Sequence, residues 1–139
     1  MNEQRNTETA RRAYELFKTG DIESLMDLYT DEASWESPKT ENVPHGGKRK
    51  GKEQILEFMS LVGDNSENIH FEPREFVAQG NKVVILGDYG WRIKSTGKKY
   101  ESDFVHVNTF NDDGKITGFK EYLDTAASRD AYTANAQAA

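Results

Sequence analysis

A histidine and a glutamate in the last third of the chain are the residues best placed to do chemistry. His106 and Glu121 lie on two successive segments rich in β-branched and aromatic residues, and the Asp113-Gly114 pair between them suits a tight hairpin. Residues two apart on a strand share a face of the sheet, so Glu121 lies on one face with Phe119 and Leu123. These apolar neighbours predict an inward-pointing carboxylate.

An imidazole and a carboxylate at matching inner positions of one sheet could shuttle protons. Histidine titrates near pH ~6.5, and it donates one hydrogen bond when it is neutral. We interpret His106 as an acid or a base, and Glu121 as its charge partner, acting on a carbonyl substrate. The alternative is a buried structural hydrogen bond between the two, or an inert cavity lined by both.

Hydrophobic spacing predicts the elements that position this pair. Apolar residues at helical spacing predict a first helix over residues 7–18, which ends at Gly20. A short second helix capped by Asp21 and a third helix around residues 55–62 are also predicted. Strands are predicted at residues 33–36, 69–77, 83–93, 100–110 and 115–123, and Pro73 favours an edge or a bulge. Residues 39–51 are predicted as a loop. Asp124 is predicted to cap a helix-permissive, alanine-rich tail from Ala126.

This order of elements predicts an α+β fold. We expect a cone-shaped, curved antiparallel sheet with three helices from the N-terminal half packed on its concave face. Such a cone leaves an apolar interior, where a small ligand usually binds. Residues 1–139 are expected to form one domain, because the chain shows no repeat and no dividing linker.

Composition excludes several classes of function. The net charge of -6 and the pI of about 5.1 disfavour nucleic acid as a partner. The chain has no cysteine, so disulfides and thiolate chemistry are excluded. No apolar run approaches the roughly 20 residues that span a membrane, and the N-terminus is charged, so a cytoplasmic location is expected. Only 35% of residues are hydrophobic, and this modest core suggests a homodimer.

Aromatic residues predict the ligand contacts, although such residues on a sheet are more often plain core. His45 and His70 are far apart in sequence and from any carboxylate cluster with ligand spacing, so no metal site is expected. The chain also lacks a phosphate-binding glycine motif and a Gly-x-Ser-x-Gly turn, and no cofactor is expected. The residues assigned to ligand binding are Tyr14, Tyr29, Trp35, Tyr89, Trp91, Phe104, Asn108 and Phe119.

Several short motifs, in this order, resemble the nuclear transport factor 2-like superfamily. These motifs are Gly20-Asp21-Ile22-Glu23, Leu28-Tyr29-Thr30-Asp31-Glu32-Ala33, Trp35-Glu36-Ser37-Pro38, Gly51-Lys52-Glu53-Gln54-Ile55, Asp113-Gly114-Lys115-Ile116 and Tyr122-Leu123-Asp124-Thr125. The resemblance covers nearly the whole chain. It is strongest to the SnoaL-like polyketide cyclases and proteins related to ketosteroid isomerase.

The resemblance matches the catalytic positions of two related enzyme groups to individual residues of this chain. In the steroid isomerases a general-base aspartate precedes the proline that ends the first strand, and Ser37 stands there in this chain. His106 matches the position of their protonated aspartic acid, which donates a hydrogen bond to the oxyanion. The resemblance therefore implies a role for His106 as an oxyanion donor. Tyr14 lies on the helix that carries their tyrosine, one residue out of register. In proteins similar to limonene-epoxide hydrolase, Glu121 matches an aspartate, but Gly87 and Tyr89 replace an Arg-x-Asp pair.

These departures leave a pocket whose chemistry differs from both templates. The resemblance implies a small-molecule-binding protein, and as an enzyme a cofactor-independent isomerase, cyclase or lyase that acts on an apolar or aromatic carbonyl compound. The competing class is a non-catalytic ligand-binding protein or a dimeric protein-interaction module of the same fold. An open cavity beside His106 would favour the first class, and a cavity filled by aromatic side chains the second.

Overall fold

The computed structural model describes residues 2–134, which form one sheet covered by helices. Four helices occur in this part of the chain: α1 (Glu3–Thr19), α2 (Ile22–Met26), α3 (Lys52–Asn65) and α4 (Thr125–Tyr132). Six strands accompany them: β1 (Tyr29–Ser37), β2 (Gly47–Lys50), β3 (Ser66–Gln79), β4 (Lys82–Ile93), β5 (Lys99–Phe110) and β6 (Ile116–Leu123).

The strands form a single curved sheet in the order β2-β1-β6-β5-β4-β3. Strands β3 to β6 pair antiparallel through successive hairpins, and the hairpin predicted at Asp113-Gly114 joins β5 to β6. Strand β1 joins the other side of β6 in a parallel pairing, so the sheet is mixed rather than wholly antiparallel. No hairpin links β1 to β6, and their relative direction is therefore free of the constraint that a tight turn imposes.

The predicted helix ends follow local chemistry. Gly20 ends α1 in the left-handed conformation (φ 78°), and its N–H bonds back to the last turn. The carboxylates of Asp21 and Asp124 accept hydrogen bonds from the N–H groups of Ser24 and Ala127, and so cap α2 and α4 as predicted. The rest of the predicted tail, residues 135–139, lies outside the described residues.

Other predicted boundaries are corrected. The first helix begins at Glu3, four residues earlier than the apolar spacing indicated, and β1 is nine residues long. The segment predicted as a loop at residues 39–51 contains β2, which pairs antiparallel with β1. Its charged sequence carries no alternation of apolar residues, and its strand conformation comes from backbone pairing. Pro73 lies on the edge strand β3 beside a register shift, as predicted.

The inner face of the sheet carries the core. On β5, Phe104, His106 and Asn108 are buried, whereas Val105 and Val107 between them are half-buried. Register pairs His106 with Glu121 across β5 and β6, so both side chains point to the same inner face. The inward orientation predicted for Glu121 is therefore observed, with 9% of the residue exposed.

Gly87 of β4 makes room for an aromatic ring behind the site. A Cβ at this position would lie 2.3 Å from the carbonyl oxygen of Glu72 and 2.5 Å from Cζ of Phe104. Phe104 lies directly across the strand pair from Gly87, and its ring stacks on His106 with centroids 4.1 Å apart. A side chain at position 87 would displace the ring that supports His106.

Candidate functional site

A cavity of about 650 Å³ lies between the inner face of the sheet and the helices. Helix α1 supplies Tyr14 and Phe17, α3 supplies Phe58 and Met59, and α4 supplies Tyr132. The sheet supplies the opposite wall, which includes these predicted residues: Tyr29, Trp35, Tyr89, Trp91, His106, Asn108, Phe119 and Glu121. The volume is in the range of roughly 300–1,000 Å³ that is typical of small-molecule sites.

Most of the predicted site residues meet in this cavity. Phe104 is the exception, since it is 1% exposed and lies behind His106 rather than in the wall. Trp35 and Phe119 stack with their ring centroids 3.9 Å apart and form one aromatic side of the cavity. Trp91 is a wall residue that packs edge-on against Tyr89.

A continuous hydrogen-bonded chain crosses the wall from α1 to β6. The Tyr14 hydroxyl lies 2.6 Å from Nδ1 of His106, and Nε2 of His106 lies 2.7 Å from Oε2 of Glu121. The side chains of His106 and Glu121 are 4% and 10% exposed. The sequence placed Tyr14 out of register with the family's tyrosine, yet its long side chain brings the hydroxyl to the imidazole.

Glu121 accepts hydrogen bonds from several side chains of this network. The Tyr89 hydroxyl donates to its Oε2 at 3.0 Å, and the Ser37 hydroxyl donates to its Oε1 at 3.2 Å. Burial by itself raises the pKa of Glu121, but the hydrogen bonds and charge of His106, together with the Tyr89 hydroxyl, outweigh burial and hold the pKa below its usual value. Glu121 is therefore an ionised acceptor at neutral pH.

Tyr14 and Tyr89, the two tyrosines that hydrogen-bond to His106 and Glu121, stay protonated. Burial, with smaller contributions from Tyr29 and the negative charge of Glu121, raises the pKa of Tyr14 well above its usual value. Burial and the same carboxylate also raise the pKa of Tyr89 well above its usual value. Both hydroxyls therefore keep a proton, and Tyr89 donates its proton to Glu121.

Two of these contacts differ from the sequence interpretation. Ser37 replaces the general-base aspartate of the steroid isomerases, but its hydroxyl lies within hydrogen-bond distance of the Glu121 carboxylate. Tyr89 occupies a position where a template residue was missing, and its hydroxyl supports Glu121 instead. The sequence could not show either contact, because both join strands that are far apart in the chain.

His45 is a cavity residue that the sequence reasoning missed. Its ring meets Phe58 and Tyr132 edge-on, at 5.3 and 5.9 Å between centroids, and Arg49 donates to its backbone oxygen at 2.7 Å. Burial, and to a lesser degree the charge of Arg49, lowers its pKa to about 4 although Glu121 opposes the change. A neutral imidazole therefore lines the cavity near pH 7.

Three wall residues carry a buried polar atom that has no hydrogen-bond partner in the part of the chain that the structure describes. These atoms are Nε1 of Trp35, Nδ1 of His45 and Oδ1 of Asn108. Buried polar groups normally find a partner, and an unpaired one is costly. No group of three or more histidines and acidic residues suited to a metal ion occurs among residues 2–134.

The sequence itself gives the family. Residues 10–119 match the model of the SnoaL-like domain, which spans most of the chain. The chain belongs to the SnoaL-like domain family. The predicted membership of the nuclear transport factor 2-like superfamily is thereby confirmed, and the α+β fold agrees with it. No curated protein matches the sequence at a significant level.

Solved structures of other SnoaL-like and related proteins have the same fold. A nuclear transport factor 2-like protein from Burkholderia xenovorans LB400 is 28% identical, with a TM-score of 0.86 over 96% of this chain and 99% of that one. TerC, which was co-crystallised with polyporic acid, is 29% identical, with a TM-score of 0.80 over 91% and 97%. A candidate SnoaL-like polyketide cyclase from Mesorhizobium loti, 22% identical, has a TM-score of 0.69 over 83% and 96% and shares the fold alone.

No helix among residues 2–134 is long and apolar enough to cross a membrane.

Proposed function

We propose that this SnoaL-like protein binds a small aromatic carbonyl compound in its cavity and acts on it by cofactor-independent acid–base chemistry of the isomerase, cyclase or lyase type. The observation that carries the proposal is the chain from Tyr14 through His106 to Glu121 in the wall of an aromatic cavity. The open space beside His106 supports a small-molecule site over a site filled by its own aromatic side chains.

The roles follow from the hydrogen bonds. Glu121 fixes the imidazole and compensates a positive charge on it, as the carboxylate does in a Ser-His-Asp triad. His106 has both nitrogens engaged within the protein, at 2.6 and 2.7 Å, so it exchanges protons with a substrate through the Tyr14 hydroxyl. Tyr14 is thus the group that meets the substrate oxygen. Well-placed acid–base groups of this kind contribute roughly 10² to 10⁴ in rate.

The aromatic walls and the unpaired polar atoms support the same ligand class. The stacked pair Trp35 and Phe119, together with Tyr14, lines the cavity with aromatic surface on which a flat ring could pack. A carbonyl oxygen on that ring could accept a hydrogen bond from Nε1 of Trp35, and a hydroxyl on it could donate one to Oδ1 of Asn108. Polyporic acid, the compound crystallised with TerC, is a diaryl dihydroxyquinone and combines aromatic rings with such oxygens.

Binding and turnover of polyporic acid and of a panel of ring ketones test the proposal. Trp35 and Trp91 line the cavity, so their fluorescence reports binding, and chromatography of the mixture reports conversion. We expect wild type to convert at least one compound and His106→Ala to lose conversion by roughly 10² or more. His70→Gln, on the outer face of the sheet, is the matched histidine control.

Each outcome of this experiment has a clear meaning. Equal turnover by wild type and His106→Ala would overturn the catalytic role of His106. Saturable binding without conversion of any compound would instead favour the non-catalytic ligand-binding alternative. Binding of none of them would overturn the ligand class.

We also propose a homodimer formed through the outer face of the sheet. Register places five apolar residues side by side on neighbouring strands of that face, and Tyr122 among them is 47% exposed. This outer patch consists of Val84, Leu86, Val105, Val107 and Tyr122. A second copy of the chain would cover it, which agrees with the modest core.

Light scattering coupled to size exclusion tests the dimer. Val107→Lys places a charge in the middle of the outer patch and should shift the wild-type mass from two chains toward one. Ile69→Lys adds the same charge at an exposed apolar position outside the patch and should leave the mass unchanged. A wild-type mass of one chain would contradict the proposal.

A further inference from the structure

The hydrogen bonds around His106 have a direction that depends on its protonation state. Ionised Glu121 only accepts, so Nε2 of His106 carries a proton in every state. A neutral imidazole has one N–H, which leaves Nδ1 as an acceptor, and Tyr14 must then donate to it. In this state the Tyr14 hydroxyl donates its only proton to Nδ1 of His106, so it presents only oxygen lone pairs to the cavity.

Protonation of His106 reverses that contact. Nδ1–H of the imidazolium donates to the Tyr14 oxygen, because both ring nitrogens are then donors. The Tyr14 hydroxyl keeps its proton, which no longer bonds to Nδ1 and turns toward the cavity as a hydrogen-bond donor. The added positive charge lies 2.7 Å from the Glu121 carboxylate, so the pair as a whole becomes neutral.

We propose that the cavity binds an ionised enol or phenol, and that His106 takes up one proton from solution when this anion binds. The proposal rests on the small-molecule function proposed above and names the charge state of its ligand. An anion that entered without the proton would meet the Glu121 charge and the lone pairs of Tyr14. An anion that enters with the proton meets a neutral ion pair and a hydroxyl donor.

The other ionisable groups around the site leave this role to His106. Tyr14 and Tyr29 of the walls are neutral hydroxyls, as is Tyr89, which donates to Glu121. His45, on the loop after β1, is neutral near pH 7 because of its burial. Lys18 lines the cavity, but it is 43% exposed and faces Glu72 at 3.8 Å.

The number of donors selects the kind of anion. Tyr14 offers one proton, which suits a single charged oxygen, whereas a carboxylate is best bound by a two-pronged donor. The aromatic walls suit an oxygen attached to a ring. An acidic hydroxyl on a quinone or a similar conjugated ring meets both conditions, and TerC was crystallised with such a compound.

Calorimetric proton counting tests the inference. The probe is 2-hydroxy-1,4-naphthoquinone, which has one acidic hydroxyl and is ionised at pH 8, and the control ligand is its methyl ether, which stays neutral. Titration at pH 8 in buffers that differ in ionisation enthalpy gives the protons exchanged per ligand bound. We expect about one proton taken up with the hydroxyquinone and about none with the ether.

Variants separate the relay from a structural role. His106→Gln should reduce the proton count to about zero, and His70→Gln should keep the wild-type count. Tyr14→Phe should weaken binding of the hydroxyquinone by roughly 10- to 100-fold, the loss expected for one charge-assisted hydrogen bond, and leave binding of the ether within about twofold. Tyr122→Phe, a hydroxyl removed from the outer face, is the control. If His106→Gln does not fold, the wild-type proton count with the hydroxyquinone, set against its count with the methyl ether, still tests the uptake.

The outcomes distinguish this inference from the proposed function. Binding of the hydroxyquinone with no proton uptake would overturn the inference and leave the small-molecule function in place. Uptake that persists in His106→Gln would also overturn it. Failure of the hydroxyquinone, the ether and the ring ketones to bind would overturn both.

Discussion

Replacement of His45 should make the fold more resistant to acid. The ring lies between Phe58 and Tyr132, and its Nδ1 has no partner among the described residues. Burial lowers the pKa of His45 to about 4, against 6.5 for an unperturbed histidine. A proton added to this ring in the folded protein would be poorly solvated, and His45→Gln removes the titrating group.

The sign and size of the effect follow from proton linkage. As the pH falls below 6.5, the unfolded chain binds a proton at His45 while the folded protein does not, so the unfolded state is favoured. The stability associated with neutral His45 is complete above pH 6.5 and is lost progressively down to pH 4. Between pH 7.5 and pH 4.5 the wild type should lose about 2.5 kcal/mol more than His45→Gln.

Urea unfolding followed by circular dichroism at pH 7.5, 6.5, 5.5 and 4.5 measures this difference. The free energy of unfolding of wild type should fall more steeply with acidification than that of His45→Gln, and the two curves should differ most at the lowest pH. His70→Gln keeps His45 and should retain the steep loss. Parallel curves for wild type and His45→Gln would refute the assignment of a buried, neutral imidazole.

Two further substitutions test the packing and the charge of the site by urea unfolding. Glu121→Gln should lower stability at pH 7 by roughly 2 to 4 kcal/mol, because three buried donors lose their ionised acceptor. That deficit should shrink below pH 4.5, since the lowered pKa of Glu121 stabilises the fold only while the carboxylate is ionised; a deficit independent of pH would contradict this. Gly87→Ala should cost about 1 to 3 kcal/mol, because its Cβ meets backbone and the Phe104 ring, whereas Gly63→Ala in α3 meets nothing within 4 Å and should not destabilise; equal stability of the two variants would show that the β4 backbone yields.

The elements of this fold were largely predictable from local patterns. The meander of β4, β5 and β6 follows from β-branched runs separated by glycine turns, and the capping aspartates mark the starts of α2 and α4. Alternation along β6 indicates the inner position of Glu121, whereas alternation along β5 does not decide the face of His106, which its pairing with Glu121 places inside. These features depend on residues that are close in sequence.

Features that depend on distant residues were not predictable in the same way. The contact of Tyr14 with His106 joins residues 92 positions apart, and the contact of Ser37 with Glu121 joins residues 84 apart. The place of His45 depends on a loop that β2 and α4 position, and β2 has no apolar alternation to reveal it. A half-buried histidine in a polar segment carries no local signal of its burial.

The hydrogen-bond polarity of His106 underlies both its proposed acid–base role and the proposed proton uptake. Long-range proton–nitrogen NMR spectra at pH 8.5, assigned by the loss of signals in His106→Gln, report which ring nitrogen carries the proton. We expect the tautomer with the proton on Nε2 and a bare Nδ1 that accepts from Tyr14, and a second proton on Nδ1 after 2-hydroxy-1,4-naphthoquinone binds. A free protein with the proton on Nδ1 alone would contradict it.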